Sequence, residues 1–440
     1  MNSVINLRKL LSGDRVVLTA ASGILVQVGR PVISLVTLPI LLASQGLDGL
    51  GIWMIALSLM SSVNVMGIGL SASVITAVGR AGEDHGGPSI AEVASAAIVI
   101  AFFWCAVVLV TVLPLAWLTD WGWLLGLTDP AQAEAAGALM VALAVLLAFG
   151  LIAVVPRQIM VGRLHGYLVH LLDFVGALLG AIGLVAGVSA SAPLWVMGVA
   201  FTGPSFLLVL LGGMIYLRRA RITLFALCNL KPDVLRQLWR DSLRMAGYQS
   251  AYAVSAHSDL FLIGMILGTP ASAAYGLARR IFSLPVIFGE TINYAQWPAL
   301  AKADAAGDRQ SVGKVFRWTL LAGSSLAFGM AVSLALAYEF LIDLWLGREV
   351  PTDAAILYGM VAWVLVATLV NTCDSVLRAR NETAFLLRSM VLMAAINLPL
   401  TLLLLPQIGP AGAIWGTVTG YTLALLLPYL ARLRPLLARG

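Results

Sequence analysis

Arg30 sits near the middle of an apolar stretch that runs from Val16 to Ala43. A guanidinium keeps its proton at physiological pH, so this segment carries a permanent charge into the bilayer against a substantial desolvation penalty. Charge held at membrane depth lines an aqueous cavity as a rule, and a fixed cation there favours an anionic cargo. Gln27 precedes Arg30, and Gly29 and Pro31 flank it. Proline removes a backbone hydrogen bond and crowds the preceding turn, while glycine adds freedom. Gly29 and Pro31 therefore mark either a hinge beside the charge or a static kink packed against a neighbour.

A second polar set lies in the C-terminal half. Arg279, Arg280, Glu290, Asn293 and Gln296 fall on one expected helix, and His257 and Asp259 on the helix before it. Arg279 and Glu290 are separated by about three helical turns and share a face, which should point into a cavity. Arg279 and Arg280 lie roughly 10 Å from the outer end of their helix at helical rise, close enough for one to snorkel outward. Asp259 should match their depth. It is either a structural partner of an arginine or a carboxylate that releases one when a coupling ion or cargo arrives. Asp173, one turn after His170, and Asp374 are weaker candidates that interhelical hydrogen bonding explains as well. Cys105, Cys228 and Cys373 are far apart and, with four histidines, form no metal or redox spacing. No Gly-rich phosphate cradle, nucleophile elbow or zinc pair is present, so neither an enzyme nor a resident cofactor is expected.

These groups must be positioned by membrane helices. The chain is 60% hydrophobic and 11% charged, with mean hydropathy +0.95, far from the roughly 25% charged residues of soluble domains. Apolar runs long enough to span occur at 16–43, 52–77, 93–118, 133–157, 168–188, 194–217, 245–267, 273–298, 317–341, 354–377, 386–405 and 411–431. The fold class expected is an all-α polytopic membrane protein of twelve transmembrane helices. The basic N-terminus and its long apolar run read as a retained first helix and not a cleavable signal. With that end in the cytoplasm, all but four of the 27 Lys and Arg sit at cytoplasmic loops or termini. Arg348 is outside, and Arg30, Arg279 and Arg280 lie within spans. Both termini are then cytoplasmic, and the net charge of +6 reflects membrane topology, with no nucleic-acid partner implied.

The longest inner loop divides the chain into a six-helix lobe over 1–217, a linker over 218–244 and a second lobe over 245–440. Within the linker, Pro232 suits a first helical turn, and Leu235, Leu238, Trp239 and Leu243 fall on one face. Arg236, Arg240 and Arg244 lie on another, so the segment reads as an interfacial helix or as a solvated basic linker. The halves echo each other weakly. Gly49-Leu50-Gly51-Ile52-Trp53 opens the second span, and Ala274-Tyr275-Gly276-Leu277 opens the eighth. Six-plus-six repeats place a cargo site between halves in secondary transporters.

Two stretches carry a family resemblance. One is Leu50-Gly51-Ile52-Trp53 leading to Asn64-Val65-Met66-Gly67-Ile68-Gly69-Leu70. The other is Asp259-Leu260-Phe261-Leu262-Ile263-Gly264 followed by Ala274-Tyr275-Gly276-Leu277-Ala278-Arg279-Arg280. Over nearly its whole length the chain resembles the O-antigen type polysaccharide flippases of the multidrug/oligosaccharidyl-lipid/polysaccharide exporter superfamily. The resemblance implies two six-helix lobes around a central cavity, alternating access, and a bacterial inner-membrane location. It also implies a polyprenyl-diphosphate-linked glycan as cargo, carried from the inner to the outer leaflet for surface polysaccharide. Membrane lipids and other polysaccharide-assembly proteins are the further partners to expect. Arg30, Arg279 and Arg280 would be the cavity cations. Arg157 and Arg163, at the inner mouth, would recruit the diphosphate or simply anchor their helix at headgroups. Coupling to H+ or Na+ through Asp259 or Glu290 is compatible with this scheme. The alternative within the superfamily is a cation-coupled exporter of drugs or organic cations, which relies on cavity carboxylates.

Overall fold

The computed structural model describes residues 2–63, 65–81, 88–223, 230–305, 309–347, 350, 352–380 and 382–437. These form helices and short connections, with no strand among them. The first helical stretch, Asn2–Val63, breaks at Gly46, where φ is 68° and ψ −172°. We label residues 2–45 α1, and 47–63 together with Val65–Arg80 α2. There follow α3 (Ile90–Leu118), α4 (Pro130–Gly162), α5 (Gly166–Ser189) and α6 (Leu194–Arg219). The second half comprises α7 (Pro232–Leu267), α8 (Thr269–Ala305) and α9 (Arg309–Trp318 continuing to Leu336). It ends with α10 (Ala354–Ala379), α11 (Thr383–Ile408) and α12 (Ala411–Gly420 continuing to Leu437). Gln296, Cys228 and Arg348 lie outside the residues whose side chains are described, as does Asn293.

Among the described residues, nine helices are long and apolar enough to cross a membrane, or ten with the bent α7. Twelve is reached because the span Ala21–Ser61 is two helices joined at Gly46, and because α8 is diluted by Arg279, Arg280 and Glu290. The expected loop between the first two spans has shrunk to one glycine. Gly268, at φ 88°, joins α7 to α8 in the same way. At both places an L side chain would strain the left-handed backbone.

Two aspartates start helices. Asp129 accepts from the Ala131 amide at 2.9 Å with Pro130 in the first turn, and Asp353 accepts from Ala355 at 2.9 Å. Ser89 and Glu92 form a reciprocal capping box at α3. Such caps satisfy amides that a helix leaves without partners.

Contacts divide the chain into two compact units: Met1–Ser44 with Met60–Ser250, and Gln45–Leu59 with Ala251–Gly440. In the first, α5 packs on α6 through glycines. A Cβ on Gly176 or Gly180 would collide with the backbone of Ser205 or Phe201. In the second, α12 packs on α11 through Gly412 and Gly416, whose Cβ atoms would meet Leu404 and Thr401. Lipid tails are as apolar as leucine, so helix association relies on close packing of this kind.

The units depart from a cut through residues 218–244 at two places. Residues 45–59 belong to the second unit because Gly51 lies against the Thr269 carbonyl, Met54 fills the space beside Gly276, and Ser58 donates to the His257 carbonyl at 2.6 Å. Residues 232–250 belong to the first unit. Gly69 lies against the Ser242 carbonyl, and Ser73 and Ser242 share a hydroxyl hydrogen bond at 2.8 Å. The amphipathic segment expected in the linker is thus the beginning of α7, which bends by 42° before His257. Leu238 is buried there, and Leu235 and Trp239 pack on the same core, whereas Leu243 is exposed. Trp239 stacks on Trp104 at 6.1 Å, and Lys231 pairs with Glu92 at 2.7 Å.

Candidate functional site

In the first unit, Arg30 is exposed on α1 and makes no ion pair among the described residues. Helical geometry continues through Pro31 and Pro39. Gly29 serves close approach: a Cβ there would stand 2.6 Å from the Phe174 ring of α5. Below it, Ser22 and His170 share a hydrogen bond at 3.0 Å, and the Tyr167 amide donates to Thr19 Oγ1 at 3.2 Å. Residues 19–29 of α1 therefore run parallel to the first half of α5, and Arg30 directly follows this stretch.

Arg157 of α4 donates to both oxygens of Asp173 on α5, at 2.7 and 3.4 Å. The carboxylate is buried, while the guanidinium is about one third exposed. Charge-assisted, two-pronged pairing of this kind fixes orientation as well as distance. Arg163, which caps the end of α4, lies over the Tyr216 ring at 5.7 Å, and the Tyr216 hydroxyl bonds His165 Nδ1 at 3.0 Å. Both arginines thus have protein partners that set their positions.

Within the second unit, Asp259 of α7 is 2% exposed. Its Oδ2 accepts from Tyr275 on α8 at 2.9 Å and from Thr417 on α12 at 3.0 Å. Arg279 Nη1, one turn below Tyr275, stands 4.0 Å from the same oxygen. The Arg279 guanidinium carbon sits 3.8 Å from the ring centre of Trp363 on α10. The depth match between Asp259 and Arg279 expected from the sequence is realised, but as an open pair. Arg280 is half-buried beside it.

Further along α8, Glu290 accepts from Asn371 Nδ2 of α10 at 3.0 Å. Gly289 allows this approach, since a Cβ there would stand 2.9 Å from Thr368. One turn past Asn371, Asp374 pairs with Arg378. Arg279 and Glu290 do share a face of α8, and that face meets α10 along the Trp363–Asn371–Asp374 line. The sequence singled out the charged members of this line. It missed Trp363, Thr417 and Asn371, and for Trp363 and Thr417 no spacing in the chain hints at their partner.

Residues 245–403 match the MatE family model. No curated protein matches the chain. Among solved structures, an inward-facing multidrug resistance MATE family transporter of the MOP superfamily superposes with TM-score 0.77 at 14% identity, covering 95% of this chain and 99% of that one. The lipid II flippase MurJ, in an inward closed conformation, gives TM-score 0.69 at 14% identity over 95% of this chain and 87% of its own. A variant of the Vibrio cholerae MATE transporter VcmN gives 0.68 at 15% identity over 97% and 99%. The chain therefore has the all-helical fold of these MATE neighbours, which have twelve helices in two lobes.

Proposed function

We propose that this protein is a flippase that carries a polyprenyl-diphosphate-linked oligosaccharide from the inner to the outer leaflet by alternating access, for surface polysaccharide assembly. The observation that carries this reading is Arg30, an exposed guanidinium on a membrane-spanning helix with no ion pair among the described residues. A diphosphate stripped of water needs replacement donors, and a guanidinium supplies them in a forked, charge-assisted array. The polyprenyl tail stays in lipid and asks nothing of the cavity. Transfer of the anion outward runs with the membrane potential, by about 2.3 kcal/mol per charge per 100 mV.

Purified protein in proteoliposomes tests this, with a fluorescent lipid-linked glycan read by access of an external glycosidase or lectin. Arg30→Ala should lower the rate by about tenfold to a hundredfold, from loss of one charged hydrogen bond of roughly 1.5–3 kcal/mol. Arg30→Lys should fall between. Wild-type rates in correctly inserted Arg30→Ala protein would remove the phosphate-cradle reading. A second reading, cation-coupled export of organic cations, is favoured by the buried carboxylate Asp259 and by Glu290. It requires that Asp259→Asn or Glu290→Gln abolish cation export while Arg30→Ala leaves it intact.

A further inference from the structure

We infer that Trp363 is a positioning residue. It holds the Arg279 guanidinium on the indole face and keeps it from collapsing onto Asp259, so that the cation stays available to an anionic headgroup. The inference deepens the flippase reading and rests on it for the identity of the cargo.

The geometry is unusual for an arginine beside a buried carboxylate. Nη1 and Oδ2 are 4.0 Å apart, whereas a contact pair closes to about 2.7–2.9 Å. Nη1 has no hydrogen-bond partner among the described residues, and neither does Asp259 Oδ1. The guanidinium and the carboxylate thus stand close with no hydrogen bond between Nη1 and Oδ2. Two features account for this. Oδ2 already accepts from Tyr275 and Thr417, which fix the carboxylate from two other helices. Trp363 holds the guanidinium over its ring, with the charge centre 3.8 Å from the ring centre. Indole is the strongest of the aromatic partners for a cation, the more so when desolvated.

Trp363 is 6% exposed, and its Nε1 has no hydrogen-bond partner among the described residues. The indole is therefore retained for its face and not for its N–H. The Arg279 side chain keeps 19% of its surface open, although Nη1 itself is buried. A cation pinned by a neutral partner can donate to a phosphate oxygen without first breaking a salt bridge. One locked to a carboxylate cannot.

The test compares Trp363→Phe, Trp363→Leu, Trp363→Met and Trp363→Leu with Asp259→Asn in the full-length protein. Two readouts are taken: phenylglyoxal adducts at Arg279, quantified by mass spectrometry without cargo, and glycan-lipid translocation. Trp363→Leu and Trp363→Met remove the π face and should lower both by about tenfold, the factor that 1.4 kcal/mol of added pairing supplies. Trp363→Phe, which keeps a face, should stay within about twofold. Adding Asp259→Asn to Trp363→Leu removes the trap and should restore adducts and translocation. Unchanged Arg279 adducts in Trp363→Leu and Trp363→Met, or failure of Asp259→Asn to rescue, would overturn the positioning role. If the adduct pattern holds while wild-type protein moves no glycan lipid, the positioning stands and only the flippase reading falls.

Discussion

The open pair between Asp259 and Arg279 sets a measurable energy. At 4.0 Å, two unit charges attract by about 4 kcal/mol at an effective dielectric near 20. Removing either partner alone leaves a buried charge uncompensated, at about 3–5 kcal/mol. Asp259→Leu also gives up the acceptor for Tyr275 and Thr417, each bond worth about 1 kcal/mol net. Removing both charges leaves none stranded, and such apolar replacements of ion pairs are often neutral. The double-mutant cycle of Asp259→Leu and Arg279→Leu should therefore show strong coupling, about 2–4 kcal/mol, with the double variant more stable than the sum of the singles implies. Reversible unfolding by SDS in mixed micelles, followed by tryptophan fluorescence, measures each corner. Asp259→Asn belongs in the series because it keeps both hydroxyl bonds and removes only the charge. Additive single-variant effects, with coupling below about 0.5 kcal/mol, would show that the two groups do not sense each other and that the 4.0 Å geometry has no energetic meaning.

Two further outcomes follow from packing. Gly51→Val should destabilise the second unit by at least about 1–3 kcal/mol, because the added atoms meet the Thr269 backbone carbonyl, which cannot swing away. Thermal unfolding in detergent reads this, and wild-type stability would show that α2 and α8 do not cross there. Cys105 and Cys373 are buried, so in a Cys228→Ser background a charged thiol reagent should leave the native protein unlabelled and modify both thiols only after denaturation; native labelling of either, followed by mass spectrometry, would place it on an aqueous surface.

Much of the fold could be read along the chain. Long apolar runs report helices crossing lipid because the bilayer core admits no unsatisfied backbone, and the span limits came within a turn or so for α4, α5, α6 and α10. The first hairpin was read less well. Residues 44–51 fall between the expected spans 16–43 and 52–77, yet only Gly46 leaves helical geometry. Asp48 instead accepts from Thr269 Oγ1 at 2.5 Å, a contact between residues more than two hundred positions apart. The packing of residues 49–54 on residues 269–276 is likewise not visible along the chain. Gly51 lies on Thr269, and Met54 lies beside Gly276.

The candidate site divides along the same line. Permanent charges such as Arg30 and Arg279, and a carboxylate such as Asp259, announce themselves in sequence because nothing but function or pairing justifies them among apolar neighbours. Their states do not. Whether Arg279 is locked or poised depends on a tryptophan from α10 and a threonine from α12. A tryptophan or threonine in a membrane helix is ordinary, so neither gives a signal along the chain. Likewise, Arg157 carries the same charge as Arg30, but the fold sets Asp173 against one and leaves the other exposed. The identity of a charge is a property of a residue. Its availability is a property of what three-dimensional packing brings within about 4 Å of it, where Coulomb attraction and π stacking compete with a cargo.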